Sequence, residues 1–307
     1  MFAVTYRKIF FAITGALVAA SLIAIAVFGL NIGIDFTGGA LLEVTYEESA
    51  QPERAALEER LGALPIGGFS LRPVETTAGA QGYILRTRDL TEEERQAVLA
   101  ALSPSEGVTP QVERFTSIGP VIGQELRSKA FVALGIVIAA IILFIAFAFR
   151  KVSKPVSSWR YGLIAIVALV HDILVPVGVF AILGAVAGVE IDILFVMALL
   201  AILGYSINDT IIVFDRVRDN LKKNQEFSIK EDFEITVGKS LNQTMRRSIN
   251  TSLTTVLVLL ALFFFGAAAT QDFALTLLVG VIAGTYSSIF LAAPLLVVLG
   301  RWGKSRA

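Results

Sequence analysis

A carboxylate stands in this chain among residues that otherwise belong in lipid. Ser206-Ile207-Asn208-Asp209-Thr210 lies inside the apolar stretch Ile191 to Phe214. An aspartate near the centre of a bilayer span costs roughly 2.5–3.5 kcal/mol on insertion scales, so it faces a bundle interior or a wet cavity, where it pairs, binds an ion or passes a proton. The functional reading of Asp209 is proton acceptance inside the membrane. The plainer reading is a carboxylate that hydrogen-bonds neighbouring helices and never titrates. Asn208 beside it can hydrogen-bond a carboxylate on a partner helix.

A second carboxylate, Asp172, falls about 11 residues into the apolar stretch Tyr161 to Ala187, near mid-bilayer at about 1.5 Å per residue. It is a candidate member of an ion relay. Its neighbour His171 is the sole histidine, and an imidazole with an ordinary pKa near 6.5 suits proton traffic. Adjacent helical residues point about 100° apart, so the two need not share a site, and His171 reads as structural. Arg246 and Arg247 stand where another apolar stretch begins, followed by Asn250, Thr251, Thr254 and Thr255. Residues 247, 251 and 254 share a helix face. Arg247 can therefore reach inward above a polar stripe and pair with an acidic group, whereas Arg246 reads as an ordinary flanking charge.

These side chains need helices to hold them, and the composition supplies them. Of the 307 residues, 55% are hydrophobic. A bilayer core of roughly 30 Å needs about 20 mostly apolar residues per span. Six stretches qualify: Ile9–Leu30, Ala130–Phe149, Tyr161–Ala187, Ile191–Phe214, Ile249–Ala269 and Phe273–Leu299. The first follows Arg7 and Lys8 but has no small-residue cleavage site at its end, so it reads as a retained span. Lys and Arg fall at alternate span ends: Arg7, Lys8; Arg150, Lys151, Lys154, Arg160; Arg216 to Arg247; and Arg301, Lys304, Arg306. The intervening short turns carry Glu190, Asp192 and Asp272 instead. That bias places both termini in the cytoplasm.

Residues 31–128 form an acidic, lysine-free insertion after the first span, and they read as an extracytoplasmic domain. Strands are expected at Leu41–Tyr46, Phe69–Val74, Tyr83–Thr87 and Gln111–Thr116, with a turn at 78–82. Helices are expected over Pro52–Leu64 and from an N-cap at Thr91, boxed by Glu94, to Leu102. The order βαββαβ is the ferredoxin-like split-βαβ pattern. The fold class is thus a polytopic α-helical membrane protein of six transmembrane helices with an α+β domain after the first. Residues 1–30 form the N-terminus and first span, and 129–307 the other five, with a cytoplasmic loop at 215–247. Within that loop Ile229, Phe233 and Val237 suggest an amphipathic helix on the cytoplasmic surface, in contact with headgroups or with a membrane partner, or else a solvated connector.

Several chemistries are excluded. No cysteine is present, and a single histidine cannot build a Cys/His zinc site. No Gly-x-x-x-x-Gly-Lys-Ser/Thr phosphate loop occurs. No catalytic, cofactor-binding or metal residues are expected, and the acidic domain would repel nucleic acid. Asp35, Gly38 and Gly39 read as hinge elements between the first span and the domain, glycine permitting tight backbone there.

Gly33-Ile34-Asp35-Phe36-Thr37-Gly38-Gly39 resembles the signature after the first span of the SecF family of protein-export membrane subunits. Gly204 to Asn220 is similar to that family's fourth-span motif, Leu241 to Thr255 to its fifth-span entry, and His171-Asp172 fits its third span. The resemblance covers the whole chain in order. It implies half of a pseudo-symmetric transporter of the resistance-nodulation-division type, paired with a SecD subunit in the bacterial cytoplasmic membrane. The implied partners are the SecYEG translocon, a YajC-type accessory subunit, membrane lipid and an exported unfolded polypeptide. The implied work is export driven by the proton or sodium gradient, with Asp209, Arg247, Asp172 and Asn208 as relay residues. Half of a small-molecule or lipid exporter and a passive scaffold are the alternatives.

Overall fold

The computed structural model describes residues 2–46, 51–75, 81–103, 110–148 and 158–304. The turn expected at 78–80 and the basic loop after the second span lie outside the described residues. The elements run α1 (Phe2–Thr5), α2 (Arg7–Phe28), α3 (Ile34–Thr37), β1 (Gly39–Thr45), α4 (Arg54–Gly62), β2 (Ser70–Glu75), β3 (Gln81–Thr87), α5 (Glu92–Leu102) and β4 (Gln111–Ile118). Then come α6 (Pro120–Ala148), α7 (Ser158–Val186), α8 (Ile193–Glu226), α9 (Phe233–Phe265), α10 (Ala268–Tyr286), a π-helical turn (Ser287–Ala292) and α11 (Ala293–Lys304). The chain divides into two compact units: residues 32–131, and the remainder.

Among the described residues six helices are long and apolar enough to cross a membrane: α2, α6, α7, α8, α9, and α10 continued through the π turn into α11. Lipid gives helices no hydrophobic reason to associate, so small and hydroxyl residues let them approach. Gly178 of α7 is one such place, since a Cβ there would lie 2.5 Å from Ser21 Cβ of α2. Gly280 and Gly284, one turn apart on α10, abut Ile202 and Ser206 of α8, and a Cβ on Gly284 would lie 2.9 Å from Ser206 Cβ. The close α8–α10 approach brings the π turn alongside Ser206. Polar clasps pin the ends. Asn31 Nδ2 donates to the Gly188 and Val189 carbonyls (3.0 and 3.1 Å), and its carbonyl accepts from Ile191 N–H at 2.8 Å. Arg7 pairs with Glu234 at 2.5 Å, and Arg160 donates to the Leu299 carbonyl at 2.6 Å.

The region read as a loop over 215–247 is helical except for residues 227–232. Hydropathy ends a span where charges begin, but a helix keeps going as long as its apolar stripe is covered. Here Phe233 and Val237 are buried in the same cluster as Val4, Tyr161 and Phe214. They face the bundle, not headgroups, and only Ile229 of the expected stripe is exposed.

The other unit is an antiparallel sheet of order β2-β3-β1-β4, the ferredoxin-like arrangement expected from βαββαβ. Leu42, Val44, Leu71 and Leu85 of the sheet pack against Leu57 and Leu61 of α4 and Val98 and Leu102 of α5. The cap on α5 is reciprocal, as the sequence requires. The Glu94 amide donates to Thr91 Oγ1 at 3.3 Å, and the Thr91 amide to Glu94 Oε2 at 3.0 Å. Gly38 and Gly39 hold φ of +77° and +125°, and a Cβ on Gly38 would sit 2.7 Å from Pro120 Cα. Only glycine fits there. Asp35 is buried in α3.

Candidate functional site: two buried carboxylates in the helix bundle

Asp209 and Asp172 are both buried, and they are held very differently. Asp209 lies mid-way along α8 at 2% exposure. Its Oδ1 accepts from Ser248 Oγ of α9 at 3.3 Å, a long bond. Its Oδ2 has no hydrogen-bond partner among the described residues. A carboxylate oxygen in that position is open to a proton or to a group supplied from outside the chain.

Asp172, fully buried on α7, is held from three directions. Oδ1 is 2.8 Å from Nδ1 of His171. Oδ2 accepts from Ser206 Oγ of α8 in a short bond, and from Ser287 Oγ of the π turn at 2.9 Å. Although neighbours on a helix point about 100° apart, imidazole and carboxylate lie side by side here. His171 stacks on Tyr286, with ring centroids 6.0 Å apart, and its Nε2 is buried without a partner. An ionised Asp172 could only accept, and a neutral His171 beside it would then donate from Nδ1 and keep its lone pair on Nε2.

Hydroxyls join the two regions. Thr210 and Ser288 share a 2.8 Å hydrogen bond, and Ser288 Oγ also reaches the Ser206 carbonyl at 3.4 Å. Ser252 accepts from Tyr205 at 3.1 Å and from Thr285 at 2.6 Å.

The inward face of α9 is not the one expected. Arg246, Arg247, Asn250, Thr251 and Thr254 are exposed, and Arg247 makes no ion pair with Asp209, although its charge acts on that carboxylate through space. The buried stripe is Thr236, Ser240, Thr244, Ser248 and Ser252, spaced four apart. That period is legible in the sequence, and it was masked by the louder arginines one residue away. Asn208 on α8 is exposed as well. Ser287 and Ser288 carried no warning in an apolar span. Their irregularity has a visible cause in Pro294, which has no amide hydrogen to give the carbonyl four residues back. Pro176 deprives the carbonyl of Asp172 itself in the same way.

A protein-family model described as "Protein export membrane protein SecD/SecF, C-terminal" matches residues 98–302, and one for the SecD/SecF GG motif matches 23–50, the segment holding Gly38-Gly39. The chain belongs to the SecD/SecF family. Among its SecF relatives, the protein translocase subunit SecF of Thermobaculum terrenum is 41% identical over 96% of this chain and 92% of its own length. That of Anaerolinea thermophila is 40% identical over 96% and 94%. The crystal structure of SecDF, a translocon-associated membrane protein from Thermus thermophilus, superposes with a TM-score of 0.77 at 32% identity, covering 95% of this chain. The chain spans 37% of that longer SecDF chain. A second SecDF structure, in the super-membrane-facing form, gives a TM-score of 0.65 at 32% identity over 99% of this chain and 39% of its own. The SecD/SecF fold and the six apolar helices make this a multi-pass membrane protein of the protein-export class.

Proposed function

We propose that the chain is the SecF half of a SecD–SecF complex in the bacterial inner membrane, which uses an ion gradient to draw polypeptides outward late in export. Asp209 carries this reading: a buried carboxylate in a membrane helix, with one weak hydroxyl partner and one open oxygen. Protonation of Asp209 alters the packing of α8 against a partner subunit. Asn208 and Arg247, both outward-facing, are the side chains with which such a partner would engage. An acidic group on the partner would compete with Asp209 for Arg247. Asp172 is the second relay position. Motion passes through Asp35, Gly38 and Gly39 to the small α+β domain, which lies outside the cytoplasm and meets the emerging chain. Both termini lie in the cytoplasm, and no bond is made or broken, so the action is not enzymatic. The translocon and a YajC-type subunit are the expected neighbours.

The test is export of a signal-bearing precursor in cells expressing Asp209→Asn at matched membrane levels. Precursor accumulation, with the variant still co-purifying with its SecD partner, is the expected result. Normal export would sink the ion-driven reading and favour a passive scaffold.

A further inference from the structure

We propose that His171 and Asp172 form a second proton-binding site, and that Ser287 is the positioning residue by which this site sets the register of the last span. The inference rests on reading the chain as ion-driven and deepens the relay role of Asp172 by naming its proton partner and the element that its charge holds.

The argument begins with how Ser287 is bonded. Its hydroxyl lies 2.9 Å from Asp172 Oδ2 and 3.1 Å from the Gly284 carbonyl of its own helix. One hydroxyl proton serves only one acceptor at a time. Toward an ionised Asp172 the bond is charge-assisted, and such bonds are roughly twice as strong as neutral ones. Ser287 is also the first residue of the π turn. Single π turns are rare, and they occur where an extra residue has been accommodated in an α-helix. The bond to Asp172 holds the first residue of this turn sideways, toward α7. Pro294 blunts what an α register would gain, because it cannot supply an amide to the preceding turn. The two registers are therefore near in energy, and a change in one side-chain bond is enough to choose between them.

The proton has a place to enter. Nε2 of His171 is buried and has no partner among the described residues, so in the tautomer that donates to Asp172 it is the nitrogen that can take a proton. A proton binding there lets the Nδ1 proton cross 2.8 Å to Asp172 Oδ1. The imidazole ends neutral in its other tautomer, the carboxyl ends neutral, and one proton has been gained in all. Asp172 then no longer holds Ser287 by charge. The Ser287 hydroxyl turns to Gly284, as serine does in a regular helix, and no hydroxyl is left unsatisfied. The surrounding titratable groups leave the dyad to act alone. Tyr286 presents its ring to His171 and donates its hydroxyl to the Phe10 carbonyl at 3.0 Å. On α8, Tyr205 is bonded to Ser252 and Asp209 to Ser248. The only charges of α2 are Arg7 and Lys8 at its start, and Arg246 and Arg247 of α9 are exposed.

A shift of one residue turns the helix beyond the π turn by about 100° and moves a surface position by roughly 8 Å for a helix about 11 Å across. The absence of cysteine allows clean labelling. Spin labels at Trp159→Cys on α7 and Val298→Cys on α11 report the change in the whole complex, reconstituted in lipid with its partner. Distances are taken at about pH 5.5 and about pH 8.

The expected result is a displacement of several Å between the two pH values, absent in both Asp172→Asn and Ser287→Ala. An unchanged distance in the otherwise native protein overturns the proposal, and so does a displacement that survives Ser287→Ala. If Asp172→Asn fails to assemble, the native and Ser287→Ala measurements still decide. Asp209→Asn separates the two ideas. A displacement that persists in that variant, whatever its export, supports the second site, and one lost there merges Asp172 into the Asp209 step and overturns it.

Discussion

The two units of this chain differ in what they bury beside their apolar side chains. The small domain has an apolar core of Leu42, Val44, Leu57, Leu61, Leu71, Leu85, Val98 and Leu102, with its charged pairs at the surface, such as Arg54–Glu58 and Arg95–Glu92. The helix bundle buries His171, Asp172, Ser206, Asp209, Thr210, Ser248, Ser252, Ser287 and Ser288. Water drives the first arrangement: apolar area is hidden because hiding it is favourable by itself. In lipid that drive is missing, so close packing and hydrogen bonds between helices must hold the bundle. In the bundle, polar groups join the helices: Ser206 and Ser287 bond to Asp172, and Ser248 bonds to Asp209. The difference teaches that stability and function are separable in the domain and entangled in the bundle.

The largest effect that should divide them is Leu61→Ala. Truncating a fully buried leucine typically costs about 2–5 kcal/mol. The loss should appear as faster hydrogen exchange throughout α4, α5 and the sheet, with the bundle's amides unchanged. Exchange that rises equally in both units would erase the distinction. Next comes Ser206→Ala, which removes one donor to Asp172. Bonds to charged groups contribute about 1.5–3 kcal/mol. The bundle should lose resistance to thermal unfolding in detergent, and precursor export should fall with it. Stability lost with export intact would show that the bundle, too, keeps the two apart.

Legibility follows the same division. Strand alternation, a capping box and leucine spacing predicted the four strands and the helices α4 and α5 of the domain, because each rule acts within a few residues, but not the single-turn helix α3. The six spans were readable from hydropathy, but their ends were not: α8 and α9 continue as amphipathic helices that tertiary packing covers. At the site, Asp209 and Asp172 announced themselves by cost alone. Their partners did not, because Ser248 and Ser287 are ordinary in a membrane helix, and Ser287 comes near Asp172 only where Gly280 and Gly284 let α10 approach α8. The arginine stripe drew attention to the exposed face of α9 and away from its buried one, since charge is conspicuous in sequence and a hydroxyl every fourth residue is not.

Two smaller changes sharpen the picture of the domain. Thr91→Ala removes the cap of α5 and should cost about 1 kcal/mol, seen as fraying of α5 by exchange while export stays normal. The smallest effect concerns Glu94, whose pKa is held down at about 2, against an ordinary 4.5, by its hydrogen bond to Arg88 and then by the Thr91 amide. A group whose folded pKa is lowered stabilises the fold above its unfolded pKa and loses that contribution as pH falls through the folded one. Protection of α5 should therefore decline slightly between pH 4.5 and about 2, and Glu94→Gln should flatten that slope. Because the pair is exposed, the change is small.

The helices α8 and α9, 34 and 33 residues long, do not stop where the lipid does. Asn220 and Asn224 cross-brace them beyond the apolar region, through Ser240 at 2.8 Å and Thr236 at 3.2 Å. Braced in this way, the two helices form a stiff arm that extends beyond the level of the buried carboxylate. From Asp209 to the tip at Phe227 the arm is roughly 27 Å at 1.5 Å per residue, so each degree of tilt sweeps the tip by about 0.5 Å. A tilt too slight to disturb any hydrogen bond around the carboxylate would be plainly measurable at the far end of the lever.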